Sequence, residues 1–226
     1  MSAHPLDMAA SSVGTIRSLL VEAQGRLRAA GIEQPGLEAA WLLEYVLKLS
    51  PLMQRVKAER QVPDVDYARV QALVARRANR EPLQYVLGTQ EFCGREFRVT
   101  SSVLIPRPES ELLVHETIRR CRQNLTAIVV DVGTGSGCLA VSVASALPEA
   151  RVLAIDASAE ALTVARANME QHGLGARIEC VQGDLLEPLA ERGLVGQVGV
   201  VLSNPPYIAD LDLAMLQPEV RCFEPR

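Results

Sequence analysis

From residue 127 onward, short apolar runs alternate with stretches of helical periodicity, and that alternation leaves the chain few folds to choose from. Strands are expected at 127–130, 151–155, 177–181 and 197–202, and helices at 138–147 and 159–172. The runs are continuously apolar, as strands covered on both faces must be, so the sheet is expected to be parallel with helices on each side. Right-handed crossovers then make it an α/β, Rossmann-like doubly wound fold.

What precedes this region has a different period. From 13 to about 80 the pattern is helical: Ile16, Leu19, Leu20, Ala23 and Leu27 recur at spacings of three and four, and Gly31 supplies a stop. A second helix is expected around Leu37, Ala40, Trp41, Tyr45 and Leu47, with Trp41 in the core. A short third helix is expected at 51–57. A fourth, capped by Asp64, carries Tyr67, Val70, Leu73 and Val74. Residues 1 to about 12 read as a loose polar tail. Phe92-Cys93-Gly94-Arg95-Glu96-Phe97 reads as two short strands around a glycine turn, and the prolines flanking Arg107 make a stiff linker into a helix opened by Glu109.

Composition narrows the function classes. Of 226 residues, 48% are apolar, enough for a sizeable core, and a net charge of −4 gives no electrostatic footprint for nucleic acid. Cys93, Cys121, Cys138, Cys180 and Cys222 are scattered without metal or disulfide spacing, and the three histidines form no ligand pattern, so no metal site is expected. With no signal peptide and no apolar stretch long enough to span a bilayer, the expected setting is the cytoplasm, away from membranes.

Two motifs carry the chemistry. Asp131-Val132-Gly133-Thr134-Gly135-Ser136-Gly137 follows the first strand. It lacks the Gly-x-Gly-x-x-Gly spacing of dinucleotide sites, but it answers a similar demand: no Cβ where a strand turns tightly and a ligand lies against backbone. The helix start beyond Gly137 favours a carboxylate. Asp156, ending the second strand, is placed to accept both hydroxyls of a ribose; it can equally cap the helix that follows. Asp184, after the third strand, can accept from an adenine amino group with Leu185 packed on the ring, or can be a solvated turn residue. The second motif, Asn204-Pro205-Pro206-Tyr207, follows the fourth strand. An amide or exocyclic amine is a poor nucleophile because its lone pair is delocalised, so a site must accept its two hydrogens and aim the lone pair. The Asn204 side-chain oxygen is one acceptor and the Pro205 carbonyl, held out of helical geometry by Pro206, is the other. Tyr207 can stack on a flat group. Together the motifs read as a methyltransferase that uses S-adenosylmethionine and modifies a planar nitrogen by orientation and preorganised dipoles, without a dedicated base.

Beyond these motifs, Glu81-Pro-Leu-Gln-Tyr-Val-Leu-Gly88, Val103-Leu-Ile-Pro-Arg-Pro-Glu109 and Glu219-Val-Arg-x-Phe-Glu-Pro-Arg226 complete a likeness that runs from the helical region to the last residue. The chain resembles the HemK/PrmC family, the protein-(glutamine-N5) methyltransferases of peptide chain release factors. The resemblance implies a helical substrate-recognition domain at 1–80, a hairpin and linker at 81–108, and a class I methyltransferase domain at 109–226. It implies that Gly133 to Gly137, Asp156, Leu185 and Asn204 contact S-adenosylmethionine, and that Asn204 to Tyr207 hold the glutamine of a Gly-Gly-Gln loop. A monomer acting on release factors, with no direct contact to nucleic acid, is the expectation. Ser110 stands where the family often has threonine, and Leu185 where some members carry an aromatic. Members continue past Glu-Pro-Arg, so the chain is expected to be truncated, with four strands of seven and an edge strand at 197–202 that was patterned for neighbours. The competing readings are an adenine or guanine amino-methyltransferase of DNA or RNA, which would need a base-flipping surface, and an inactive release-factor-binding fragment.

Overall fold

Thr15 starts the first long helix by a reciprocal cap: its hydroxyl accepts from the Ser18 amide at 3.2 Å, while the Ser18 hydroxyl accepts from the Thr15 amide at 2.9 Å. In this computed structural model, which describes residues 12–122, 127–205 and 215–225, that helix belongs to the first of two units, divided after Leu87. Its elements are β1 (Ser12–Thr15), α1 (Ile16–Ala29), α2 (Pro35–Leu47), α3 (Pro51–Val56), β2 (Gln61–Pro63), α4 (Asp64–Ala78) and α5 (Leu83–Leu87). Ile16, Leu19, Ala23 and Leu27 line one face of α1 and meet Leu42 and Leu43 of α2 and Val70 and Val74 of α4 in a common core.

The helical unit departs from expectation at four points. An antiparallel β1–β2 ribbon stands in a region read as all-helical, because the two strands are too short to show a period of two. Asp64 does not cap α4. It is the first helical residue, after Pro63, and with Asp66 it puts acidic charge on the positive end of the helix dipole. Trp41 is 39% exposed, since α2 turns Ala39, Ala40, Leu42 and Leu43 inward instead. The unit also runs past residue 80, because α5 places Val86 in the same core. The polar tail at 1–11 lies outside the described residues.

The second unit begins with a hairpin, β3 (Thr89–Phe92) and β4 (Arg95–Arg98), closed by Cys93 and Gly94, both in the left-handed region at φ +50° and +68°. Two consecutive left-handed residues match the twist of the strands they join. A 3-10 turn (Pro108–Ser110) leads into α6 (Glu111–Cys121), two residues later than the start at Glu109 that the sequence suggested. The α/β alternation follows as read through β5 (Ile128–Val132), α7 (Cys138–Ala146), β6 (Arg151–Asp156), α8 (Ala159–Gln171) and β7 (Ile178–Gln182); a short α9 (Glu187–Glu191), which the sequence reading did not include, then precedes β8 (Val198–Ser203), and α10 (Pro218–Phe223) follows. The four long strands pair in parallel in the order β7-β6-β5-β8.

Strand periodicity divides the core. Val129, Val152, Ala154 and Ile178 face one side, with α7 and the hairpin residues Phe92 and Phe97. Val130, Val132, Leu153, Ile155 and Val181 face the other, with Leu189 and Leu194. Each such aliphatic side chain contributes roughly 1.5–3 kcal/mol by leaving water. The edge strand is less well covered: Leu202 is buried, whereas Val201 is 49% exposed, and a groove of about 410 Å³ opens between β8 and α6, lined in part by Leu113, Thr117 and Val201. Among the described residues no helix is long and apolar enough to cross a membrane.

Candidate active site

Parallel pairing brings the carboxyl ends of the four strands into line. Val132 of β5 is level with Ser203 of β8 and Ile155 of β6, and Ile155 is level with Val181 of β7. The next residues along each strand are therefore Gly133, Asn204, Asp156 and Gln182, so all the sequence-predicted positions among the described residues collect on one edge of the sheet. The chain crosses from one side of β5 to the other between β7 and β8, and Gly133 and Asn204 flank that switch point.

The glycine loop is held from beneath. The Gly133 and Thr134 amides both donate to the Ile155 carbonyl, at 2.9 and 3.0 Å. Asp131, fully buried, accepts from the Thr134 hydroxyl at 2.7 Å and from the Ala140 amide at 3.1 Å, both through Oδ2. Burial pushes the Asp131 carboxyl up to about 6, against those two hydrogen bonds, which favour the charged form. The buried neighbouring thiol of Cys138 is pushed up to about 12 and is unreactive as a nucleophile at neutral pH.

The loop's glycines serve two different needs. Gly133 and Gly135, at φ +70° and +56°, have open space or only a backbone oxygen at 4.0 Å where a Cβ would project, so their surface is bare toward solvent. Gly137 caps α7 at φ +78°, and a Cβ there would stand 3.3 Å from both Ala165 and Met169 of α8. Thr134 and Ser136 are buried beneath. Asp156 reaches across: Oδ2 accepts from the Gly135 amide and Oδ1 from the Ser158 amide, each at 2.9 Å. It is not the cap of α8. Ser158 is, accepting from the Ala161 amide at 3.1 Å. Each Asp156 oxygen accepts one of these bonds and can accept another, as a diol acceptor requires. After β7, Asp184 is exposed, and Leu185 is 65% exposed at φ +44°. A leucine held in the left-handed region costs about 1 kcal/mol or more. A solvent-facing apolar residue so held, at the same end of the sheet as the glycine loop, suits a flat ligand face.

Across the switch point, Asn204 is half-buried and donates from Nδ2 to the Ser110 hydroxyl at 3.2 Å. The Ser203 hydroxyl donates to the Val132 carbonyl at 2.8 Å and fastens the end of β8 to β5. Pro205 is exposed; Pro206 and Tyr207 lie outside the described residues.

Comparison with known proteins decides what this edge belongs to. The PrmC N-terminal domain family matches residues 18–88 and the methyltransferase small domain family matches 108–217. The release factor glutamine methyltransferase of Geobacter sulfurreducens is 45% identical over 95% of this chain and 72% of its own length. That of Nitratidesulfovibrio vulgaris is 40% identical over 98% and 74%, and that of Moorella thermoacetica 42% over 94% and 73%. The chain belongs to the release factor glutamine methyltransferase family. It is thus a methyltransferase with S-adenosylmethionine as its methyl donor. The residues present fit that donor: bare glycine backbone, a carboxylate with free lone pairs and an exposed apolar side chain share one strand edge.

In this methyltransferase several supporting residues were not singled out from sequence. Asn168, fully buried on α8, accepts from the Arg98 amide at 2.8 Å and donates to the carbonyls of Arg98 and Ser136 at 2.9 and 2.8 Å, tying the hairpin to the glycine loop. Arg107 pairs with Glu224, whose side chain is only 3% exposed. No local signal marks Asn168; Arg107 and Ser110 lie in a stretch whose proline spacing was noticed but whose contacts were not.

Proposed function

We propose that this enzyme transfers a methyl group from S-adenosylmethionine to the side-chain amide nitrogen of the glutamine in the Gly-Gly-Gln loop of peptide chain release factors. The observation that carries the reading is the placement of Asn204 beside Gly133, each one step beyond the paired residues Ser203 and Val132. An acceptor for amide hydrogens and a ligand-bearing glycine loop are then neighbours across the switch point.

Gly133, Thr134, Gly135, Ser136 and Gly137 cradle the donor's methionine end, Asp156 accepts its ribose hydroxyls, and Asp184 and Leu185 hold its adenine. When bound, the donor supplies a methyl group on a positively charged sulfur. The Asn204 Oδ1 and the Pro205 carbonyl accept the two hydrogens of the glutamine amide and turn its lone pair toward the methyl carbon, while Pro206 fixes the Pro205 carbonyl and Tyr207 stacks on the amide plane. Gly133 to Gly137, Asp156 and Leu185 would hold the donor so that its methyl carbon passes to that nitrogen and its sulfur keeps the electron pair of the broken sulfur–carbon bond. The nitrogen proton, acidic only after transfer, leaves to water. Orientation and fixed dipoles supply the catalysis. The helical unit recognises the release factor. The enzyme acts as a monomer in the cytoplasm, without direct contact to nucleic acid.

Mass spectrometry of a bacterial release factor incubated with the protein and S-adenosylmethionine tests the reading. One added methyl on the glutamine of the Gly-Gly-Gln peptide is the expected result. Methylation of a DNA or RNA oligonucleotide with an unmodified release factor would overturn it.

A further inference from the structure

We infer that Ser110 is a positioning residue that anchors the Asn204 side-chain amide in place at the end of β8; the inference rests on the reading of Asn204 as the acceptor of the substrate's amide hydrogens. The two ends of an asparagine amide are nearly equal in shape, so sterics alone do not choose between them. With Nδ2 donating to Ser110, Oδ1 is presented to the substrate as an acceptor. With the amide reversed, two N–H donors would face the two N–H donors of the glutamine, and the lone pair would be misdirected. A hydroxyl can accept from Nδ2 or donate to Oδ1, so Ser110 fixes the place and plane of the Asn204 amide, and the substrate's own N–H groups favour the end that offers them Oδ1.

The contact is not a local accident, since the two residues are 94 positions apart in sequence. Ser110 is 8% exposed, so water does not readily take its place. It is itself fixed. Its amide donates to the Arg107 carbonyl at 3.0 Å, closing the 3-10 turn, and the Arg107 guanidinium is paired with the buried Glu224 carboxylate. The Pro106-Arg107-Pro108 segment thus acts as a rigid bracket that carries the hydroxyl to the end of β8. Threonine, which keeps the hydroxyl, would serve equally; alanine would not.

The test pairs kinetics with a signal from the amide. Methyl transfer to a bacterial release factor is measured for the parent, Ser110→Ala, Ser110→Thr and Asn204→Ala, with S-adenosylmethionine affinity by calorimetry. Selective ¹⁵N-asparagine labelling reports the Asn204 side-chain amide protons. Ser110→Ala is expected to lower kcat about tenfold or more, with cofactor affinity within about twofold of the parent. It should also shift the Asn204 amide protons, and Ser110→Thr should restore both. Should Ser110→Ala fail to fold, Ser110→Cys, a weak acceptor of similar size, carries the same expectation. Parent-like kcat and an unshifted amide in Ser110→Ala, with Asn204→Ala inactive, would overturn the role of Ser110 and leave Asn204 standing. An Asn204→Ala variant that works at the parent rate would instead remove the reading beneath it.

Discussion

The two strands that carry the site, β5 and β8, look alike in sequence and live in different surroundings. Val129, Val130 and Asp131 of β5 are fully buried between neighbours on both sides. β8 has β5 on one side and, among the described residues, no strand on the other, so Val201 stands half in solvent. The difference extends to the residues beyond each strand. The loop after β5 is fixed by buried hydrogen bonds to Ile155, Asp131, Asp156 and Asn168. After β8, the described side-chain contacts are those of Ser203 and Asn204. An apolar strand can thus be a finished element or an edge, and only its partners tell which. In the proposed site the donor's half is built into the core, while the acceptor's half is held, among the described residues, by the contacts of Ser203 and Asn204.

Substitutions can break or sharpen this contrast. The largest effect is expected at the less supported half: Asn204→Ala should lower kcat about a hundredfold with little change in thermal stability, because one preorganised acceptor is lost and no packing is. A parent-like rate in a transfer assay would sink the assignment. Asp156→Ala should weaken S-adenosylmethionine binding by on the order of 2 kcal/mol, since a charged acceptor for two hydroxyls disappears and the Gly135 amide loses its partner. Calorimetry giving unchanged affinity in a folded variant would exclude Asp156 from the site. Asp131 gives a smaller, pH-dependent effect on stability. Its folded-state value, about 6, lies above its unfolded value near 3.8, so its contribution is fully present below pH 4 and is lost as pH rises through 6. Urea unfolding between pH 4.5 and 7 should show the parent losing on the order of 1 kcal/mol relative to Asp131→Asn. A pH-independent difference would mean that the carboxyl titrates normally. Val201→Thr should change stability by less than about 0.5 kcal/mol, as surface substitutions do, whereas Val130→Thr should cost several times more. Equal costs would show that β8 is covered after all.

The contrast also marks how far sequence reading reaches. Continuously apolar runs are legible because covering both faces of a parallel strand leaves no freedom in residue type, and all four strands were found within a residue or two. Glycines at a strand end are legible because few other residues adopt their dihedral angles. The cap of α8 went partly astray, since Asp156 and Ser158 are both competent acceptors two positions apart and only geometry assigns them. The β1–β2 ribbon was missed because each strand spans only three or four residues. Ser110, Asn168 and Glu224 were not singled out as supports because their partners lie 94, 70 and 117 positions away in sequence, and nothing local records such a contact.

One of those long-range contacts gives the molecule a built-in reporter. The Arg98 amide donates to the side chain of Asn168 rather than to a strand partner, and the same side chain holds the Ser136 carbonyl. Its exchange with deuterated solvent must wait for α8 and the hairpin to part, an opening that also releases the glycine loop. Occupancy of the loop by S-adenosylmethionine should therefore slow exchange at Arg98, a residue with no place in the cofactor site, by the factor with which the ligand favours the closed form over the open one.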